Sequence, residues 1–499
     1  MHSSLKSETY GAVDLGSNSF HMFVVRLVSD ELEVLDRLRE RVRLAAGLDS
    51  NNHLTEEAES RALRSLERFG ERLRDIPPQL VRAVGTNTLR RAHDANAFLR
   101  RASEALGHQI EIISGLEEAR LIYLGVSHSL PDSPERRLVV DIGGGSTECI
   151  IGERFEPLEA ASLYMGCVSY TMRFFPDGEI SEKNLLQAET AARVELETIE
   201  RRLRTLGWHA SFGSSGTVIA IEQILRENDW SSQGISRKGL RKLRKAVLRA
   251  GNTKNLSLPG LKTDRAPVLA GGLAILNAVF ESLEIEEMSS STGALREGIL
   301  YDLLGRIRHE DVRDRTIERL VQQHRVDREQ AARVERTALD CLEQVADRWA
   351  LADLETRQLF AWAARLHELG RAVSYSGYQK HGAYLVAHSV MPGFSTDDQI
   401  LLAALVGNHR RKLALEVFEE VRSISPDQAL KLCVLLRLAV LVNRGRSPRP
   451  LPLFKAAADE NELTVDFPEG WLEEHPLARA DLTEETSLLK KVAFQLLVN

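Results

Sequence analysis

Twice along this chain an apolar run stops at an aspartate, passes through small residues and resumes. The clearer instance is Leu138-Val-Val-Asp-Ile-Gly-Gly-Gly-Ser-Thr-Glu-Cys-Ile-Ile151. It predicts a strand, a tight turn from Gly143 to Thr147 and a returning strand, a hairpin whose turn residues accept φ > 0. The other is Gly11-Ala-Val-Asp-Leu-Gly-Ser-Asn-Ser-Phe-His-Met-Phe-Val-Val25. Asp14-Leu15-Gly16 matches Asp141-Ile142-Gly143, and Ser17, Asn18 and Ser19 take the places of Gly144, Gly145 and Ser146. One such hairpin is unremarkable. Two at the head of separate segments predict an internal duplication.

Between and after these hairpins, strand and helix signals alternate. Leu32-Glu-Val-Leu35 reads as a strand, and Arg37 to Arg43 alternates loosely around Leu38 and Val42. A helix is expected from Thr55, with Leu63, Leu66, Phe69 and Leu73 on one face and Pro77-Pro78 as its stop. Val81-Arg-Ala-Val84 and Gln109-Ile-Glu-Ile-Ile113 are further strands, and Ser114-Gly-Leu-Glu117 reads as a capping box opening a helix through Val126. Beyond the turn-rich linker Pro131-Asp-Ser-Pro134, one helix is expected from about Glu182 to Leu206. Phe212-Gly-Ser-Ser-Gly-Thr217 then leads from an apolar segment into a helix. This alternation argues for an α/β fold. From about residue 308 strand signals vanish and amphipathic helices follow (Asp314–His324, Asp327–Trp349, Thr356–Leu369), an all-α domain. After Pro450 short apolar runs, Leu463–Phe467 and Val492–Val498, predict a small β-containing unit.

Composition narrows the class. The 499 residues suit roughly three domains or more, with 43% hydrophobic and 27% charged residues. No apolar run approaches the roughly 20 residues that span a bilayer, and Met1–Tyr10 has no apolar leader segment. Cys149, Cys167, Cys341 and Cys433 form no CxxC pair, so neither a disulfide framework nor a cysteine zinc site is expected. A cytoplasmic location is the expectation, with peripheral contact at the inner membrane face as its variant. The net charge of −7 argues against a nucleic-acid partner, while local basic patches still suit a smaller polyanion. Gln379-Lys-His381 and Arg410-Arg-Lys412 are such patches, and Arg237–Lys254, with eight basic residues and no acid, reads better as a solvated helix face.

The chemistry follows from the turns. Successive small residues with Ser146 and Thr147 gather N–H groups and hydroxyls into a concavity suited to phosphate oxygens, and two such turns would hold a phosphate chain from both sides. Asp141 and Glu148 flank the second turn, as carboxylates sharing Mg²⁺ with a phosphate do. Glu118 sits in the first turn of its expected helix. Read locally, it is a good N-terminal acid before it is a general base. Arg296 lies beside the small-residue loop Ser289–Gly298, where a cleft or a helix cap would both suit it. His367, His381, His388 and His409 lack a tight metal-ligand spacing, and structural roles are preferred for them.

At this point a family resemblance enters. The paired hairpins resemble the phosphate loops of the actin/Hsp70/sugar-kinase fold, which is ribonuclease H-like. The string Ala12–His21, Gly85-Thr-Asn-Thr-Leu-Arg90, Ile113-Ser-Gly-Leu-Glu-Glu-Ala-Arg-Leu-Ile122, Asp141–Glu148 and Gly293-Ala-Leu-Arg-Glu-Gly298 is similar to the exopolyphosphatase/guanosine pentaphosphate phosphatase (Ppx/GppA) family. The likeness runs through residues 11–305, and less sharply through a helical region similar to the HD-like domain of the long members. There Glu368 stands where an HD phosphohydrolase has Asp, which speaks against a second catalytic centre and for substrate binding and dimer contact.

The resemblance implies four parts: actin-like α/β domains at 1–134 and 135–307, a helical HD-like domain at 308–449 and a small C-terminal domain at 450–499. It implies Mg²⁺-dependent hydrolysis of the terminal phosphate of inorganic polyphosphate, or of the 5′-terminal phosphate of pppGpp, by a homodimer. Residue by residue it makes Glu118 the catalytic base, over the local reading, and Asp141 and Glu148 the metal ligands. Asn18, Ser19, Gly144, Gly145, Ser146 and Thr147 fall on the phosphate loops, and Arg90 on a cleft arginine. Gly145 and the Gly85-Thr86 opening look more like the exopolyphosphatase branch, Arg43-Leu-Ala-Ala-Gly47 more like the other. A non-catalytic nucleotide-dependent clamp is the rival of another class, against which Glu118 with both metal-site acids argues.

Overall fold

The computed structural model describes residues 8–28, 31–49, 51–93, 95–131, 133–307, 311–447 and 451–499. Two compact units divide the chain, residues 1–311 and 312–499. The boundaries expected at 307/308 and 449/450 touch residues 308–310 and 448–450, and Asp132 of the expected linker is likewise outside the described residues.

The first unit is built twice on one plan. β1 (Thr9–Leu15), β2 (Phe20–Val28) and β3 (Glu31–Glu40) form an antiparallel meander, and β4 (Val81–Gly85) and β5 (Ile110–Ile112) add in parallel beside β1, giving the order β3-β2-β1-β4-β5. The second sheet repeats it. β6 (Arg136–Ile142), β7 (Thr147–Glu153) and β8 (Glu156–Leu163) form the meander. β9 (Ala210–Ser214) and β11 (Glu287–Ser290) add in parallel beside β6, and β10 (Ile235–Ser236) closes the edge against β11. Consecutive apolar residues in β1 and β6 are buried on both faces, as strands covered by helices must be (Ala12, Val13, Val139 and Val140 are all fully buried). This duplicated α/β arrangement is the actin-like fold.

The turns predicted from sequence are where the chain reverses. Thr55 caps the expected helix, its side chain accepting from Ala58 N, and the helix runs Glu56–Leu73 with Leu66, Phe69 and Leu73 buried. Two expectations are corrected. Ser114 caps the helix Gly115–His128, but Glu117 does not complete a capping box: both its carboxylate oxygens accept from Arg120. The single helix expected over Glu182–Leu206 is two, Glu182–Glu197 and Glu200–Leu206. At the break Thr198 Oγ1 donates to Glu195 O, a local bond that competes with the helix, and Ile199 turns into the core.

The duplicated halves meet through a shared core. The helix Leu295–Ile307 follows the second sheet in sequence, yet its Leu295, Ile299, Leu300 and Leu303 share a core with Tyr10, Ala12 and Phe23 of the first. It lies directly on the helix Gly115–His128. A Cβ on Gly298 would collide with the Leu121 carbonyl, so only glycine permits that approach.

The second unit is helical. Helices including Val312–Gln323, Arg328–Trp349, Leu354–Leu366, Thr396–Asn408 and Pro426–Val442 enclose one core. The three-stranded sheet of β12 (Lys455–Asp459), β13 (Glu462–Asp466) and β14 (Gln495–Val498) does not stand apart from it. Ala456, Leu463, Val465 and Leu496 belong to the same core, and Trp349 Nε1 donates to Asp459 O.

Candidate functional site

Both small-residue turns open at the ends of the central strands β1 and β6, and they face each other. Gly144 lies against Ser17 and Asn18, so close that a Cβ would come within 3.1 Å of the Ser17 Cβ. Gly145 packs in the same way on Asn87 and Ser17. Backbone bonds fix both loops: Gly143 N donates to Ser146 O, Arg43 N to Asn18 O and Ala45 N to Ser17 O. The concavity between them is a cleft of about 300 Å³, lined among others by Asn18, Ser19, Gly144 and Ser146. Ser19 Oγ is buried with no hydrogen-bond partner, so it points a donor at the cleft with nothing to satisfy it.

Acids gather opposite. Asp14 and Asp141 end β1 and β6 at equivalent places, paired across their hairpins with His21 and Glu148. Asp14, Asp141 and Glu118 line the cleft. Burial pushes Asp14 up to about 8, with the charge of Glu118 adding to it. Burial likewise raises Asp141 to about 7 and lifts Glu148 well above the ordinary carboxylate range, with Glu118 and Asp141 adding to the latter. Asp14 Oδ1 is buried without a hydrogen-bond partner. Carboxylates forced together away from water fit a hard divalent cation, which would remove the repulsion that raises them. Among the described residues no three such groups converge on one point. An ion that keeps water and phosphate oxygens in its shell, as Mg²⁺ does, needs no such cage.

Glu118 is held from behind. Arg90 Nη1 donates to Glu118 Oε2 and to Ile113 O, both at 2.8 Å. Burial raises the Glu118 carboxyl and the Arg90 guanidinium opposes it. Arg90, expected on phosphate, therefore has its guanidinium on Glu118 in this structure. Thr147 also departs from expectation: it is fully buried, and its hydroxyl donates to Met165 O at 2.6 Å. Glu148 sits one step back, accepting from Ser162 Oγ.

Several cleft residues had no place among the expected ones. Asp14 is the plainest omission, since the match of the two hairpins pairs it with Asp141. Arg296, left open between cleft and cap, lines the cleft, stacks over Phe23 and approaches His21 Nδ1 at 3.2 Å. A guanidinium only donates, so His21 accepts there as a neutral ring, its pKa lowered to about 3 by burial and by Arg296. The loop after β9 brings a third element: Ser215, at φ 74°, turns the chain into the helix Ser215–Glu227, whose N-terminal end lines the cleft with Gly216 and Thr217. Arg265 lies on Gly216, and Arg39 joins it on the basic side. Neither arginine carries a local sequence signal. Their neighbours come from other strands and loops.

Of the four histidines singled out in the helical unit, two lie in the interior. His367 and His409 are each 1% exposed, with Nδ1 bonded to Ala364 O and Val406 O. Glu368 is engaged by Arg446 and Arg371. Among the described residues no metal-binding cluster forms there.

Residues 23–307 match the Ppx/GppA phosphatase family, and residues 312–486 match domain III of Ppx/GppA phosphatases. Among solved structures, an exopolyphosphatase from Cytophaga hutchinsonii is similar at 26% identity and a TM-score of 0.54, covering 60% of this chain and 98% of its own. An exopolyphosphatase-like protein is similar at 23% identity, with a TM-score of 0.54 over 60% of this chain and 99% of its own. The Aquifex aeolicus member of the Ppx/GppA family is similar at 23% identity, with a TM-score of 0.50 over 60% of this chain and 98% of its own. The last two bear on the fold alone.

Proposed function

The chain belongs to the Ppx/GppA phosphatase family, and from that premise we propose that its cleft hydrolyses the terminal phosphoanhydride of inorganic polyphosphate. The observation that carries the proposal is Glu118: a buried carboxylate, oriented by Arg90, lining a cleft whose other walls are two opposed phosphate-type turns.

Phosphoryl transfer to water asks the protein mainly for position and charge. Water in line with the terminal phosphorus is oriented by Glu118 and gives it a proton as the new P–O bond forms. The bridging P–O bond breaks, and the shortened chain leaves with the bridging oxygen. A base whose pKa burial has raised is better matched to neutral pH than an exposed carboxylate. N–H groups of the Gly16–Ser19 and Gly143–Ser146 turns, with the helix N-terminus after Ser214, take the equatorial oxygens as charge redistributes. Arg265, Arg39 and Arg296 supply positive charge along the same wall. Asp141 and Glu148, with Asp14 beside them, would hold Mg²⁺, whose chemistry when bound is to neutralise phosphate oxygens.

Replacing Glu118 by Gln keeps size and hydrogen-bonding while removing the base. Phosphate release from polyphosphate should fall about 10²–10⁴-fold, with chain binding retained in equilibrium dialysis. Wild-type turnover in a folded Glu118→Gln protein would sink the assignment.

The second reading is pppGpp 5′-phosphohydrolysis. The segment Arg43–Gly47, hydrogen-bonded directly to the first turn, favours it by its likeness to the guanosine pentaphosphate phosphatase branch. The ratio of kcat/KM for long-chain polyphosphate to that for pppGpp decides between them. The loss on Glu118→Gln should be common to both substrates.

A further inference from the structure

Away from the cleft, the helical unit contains a larger groove, about 950 Å³, between the helices Tyr378–His388 and Thr396–Asn408. Its floor is made of small residues: Ala383, Ala403, Ala404 and Gly407. A Cβ on Gly407 would stand 3.1 Å from that of Ala383, which is how near the two helices come. Two tyrosines, Tyr375 and Tyr384, line it while remaining 74% and 66% exposed.

Four cations also line it: Lys380, Arg410, Arg411 and Lys412. Among the described residues none of them has an acidic side chain at ion-pair distance, and Glu420 is the one acid on the lining. Their platform is rigid. Arg437, fully buried and paired with Glu485, donates to the carbonyls of Asn408 and Arg411. Asn408 Oδ1 accepts from Ala414 N, Arg411 sits at φ 64°, and Arg410 stacks over the ring of the buried Tyr378. A fully buried ion pair is thus committed to the backbone that displays three unpaired cations. Buried charge pairs seldom stabilise a fold by themselves, so the position they fix is the better account of this one.

We propose that this groove is a second ligand site, for a nucleoside polyphosphate. The volume is that of a small-molecule pocket. The cations answer the phosphates, and the tyrosines with the small-residue floor answer a planar base, which stacks on aromatic faces. An inorganic chain would use the cations and leave the apolar floor and both tyrosines in water. That difference separates the two ligands.

The test is photolabelling of the full chain with 8-azido-ATP, followed by mapping of the labelled peptide. Saturable label is expected on the segments carrying Tyr375, Tyr384 or residues 403–417. It should fall at least tenfold in an Arg410→Ala/Arg411→Ala double variant. It should fall as far in Ala387→Phe, which fills the groove from an exposed position and leaves every cation in place. ATP should displace the label at a concentration at least tenfold lower than tripolyphosphate. Label confined to the segments 14–19 and 141–147, or indifference to both variants, overturns the site. Equal displacement by ATP and tripolyphosphate overturns the nucleotide and makes this an inorganic polyphosphate site. Glu118 is outside the groove, so failure here leaves the cleft proposal standing, and failure of the cleft proposal leaves this one.

Discussion

At the scale of single residues, the cleft turns on what Arg90 holds. Its guanidinium bonds Glu118 and the Ile113 carbonyl, which leaves it poorly placed to be chiefly a phosphate ligand. A positioning role and a binding role make different kinetics. Arg90→Ala should lower kcat about 10–100-fold, an order of magnitude below the loss of a general base itself, with KM within about twofold. Arg90→Lys should recover part of the loss, because both bonds come from the single nitrogen Nη1 and an ammonium also has a donor for each acceptor. If KM rises instead while kcat holds, Arg90 binds substrate. That Asp141 lines the cleft with the first hairpin was legible from the duplication, whereas Glu118 came in only through the family resemblance, its local pattern reading as a helix N-terminal acid. Arg90's partner was not legible, because it lies 28 positions away. The bond made by the Thr147 hydroxyl was hidden for a related reason. A hydroxyl next to a glycine turn can serve a ligand or a neighbouring carbonyl, and here Met165 O claims it.

At the scale of elements, the Glu118 helix is positioned by buried charge as well as by packing. Asp302, on the helix Leu295–Ile307, is bonded by Arg82 of β4 and Arg120 of the Glu118 helix, with Arg306 beside them. Arg120 also binds Glu117, next to the base. Burial alone would raise the Asp302 carboxyl, but Arg120, Arg82 and Arg306 overcome it and hold it below its ordinary value. Asp302→Asn strips the counter-charge from buried arginines, and should cost about 3–5 kcal/mol in denaturant unfolding. A carboxyl depressed in the folded state contributes fully above its unfolded pKa of about 3.9 and progressively less as pH falls below it. The gap between wild type and Asp302→Asn should therefore be constant near neutrality and narrow below about pH 4. An unchanged gap at pH 3 would mean the cost is steric. None of this network was legible in sequence. Its members come from β4 and two helices far apart in the chain, and Glu117 was read as half of a capping box because local pattern cannot see Arg120's competing claim.

At the scale of the whole molecule, duplication is what the sequence declared most openly, because both hairpins repeat acid, glycine and small residues in one order. It did not declare that the helix Leu295–Ile307 returns to the first half, since apolar periodicity marks a buried face without naming its partner. Beside that shared core each sheet keeps one of its own, Val13, Phe20 and Leu66 in one and Leu138, Ile151 and Leu273 in the other. The cleft belongs to the seam between them. Gly144 is where the two turns touch, with Gly145 beside it, and a side chain at Gly144 presses on Ser17 and Asn18. Stability and activity should therefore separate at this position. Gly144→Ala asks its neighbours to give by a few tenths of an ångström, whereas Gly144→Val brings two further carbons against the Ser17 turn. Phosphate release should fall modestly in the first and more than about tenfold in the second, as a misplacement near 1 Å does to reacting groups. The melting temperature should move by less than about 4 °C in both, the shift that roughly 1–2 kcal/mol makes in a unit of this size. A Gly144→Val protein that melts far earlier would show that the turn braces the fold. One that keeps full activity would mean that the two turns need not meet for the chemistry to proceed.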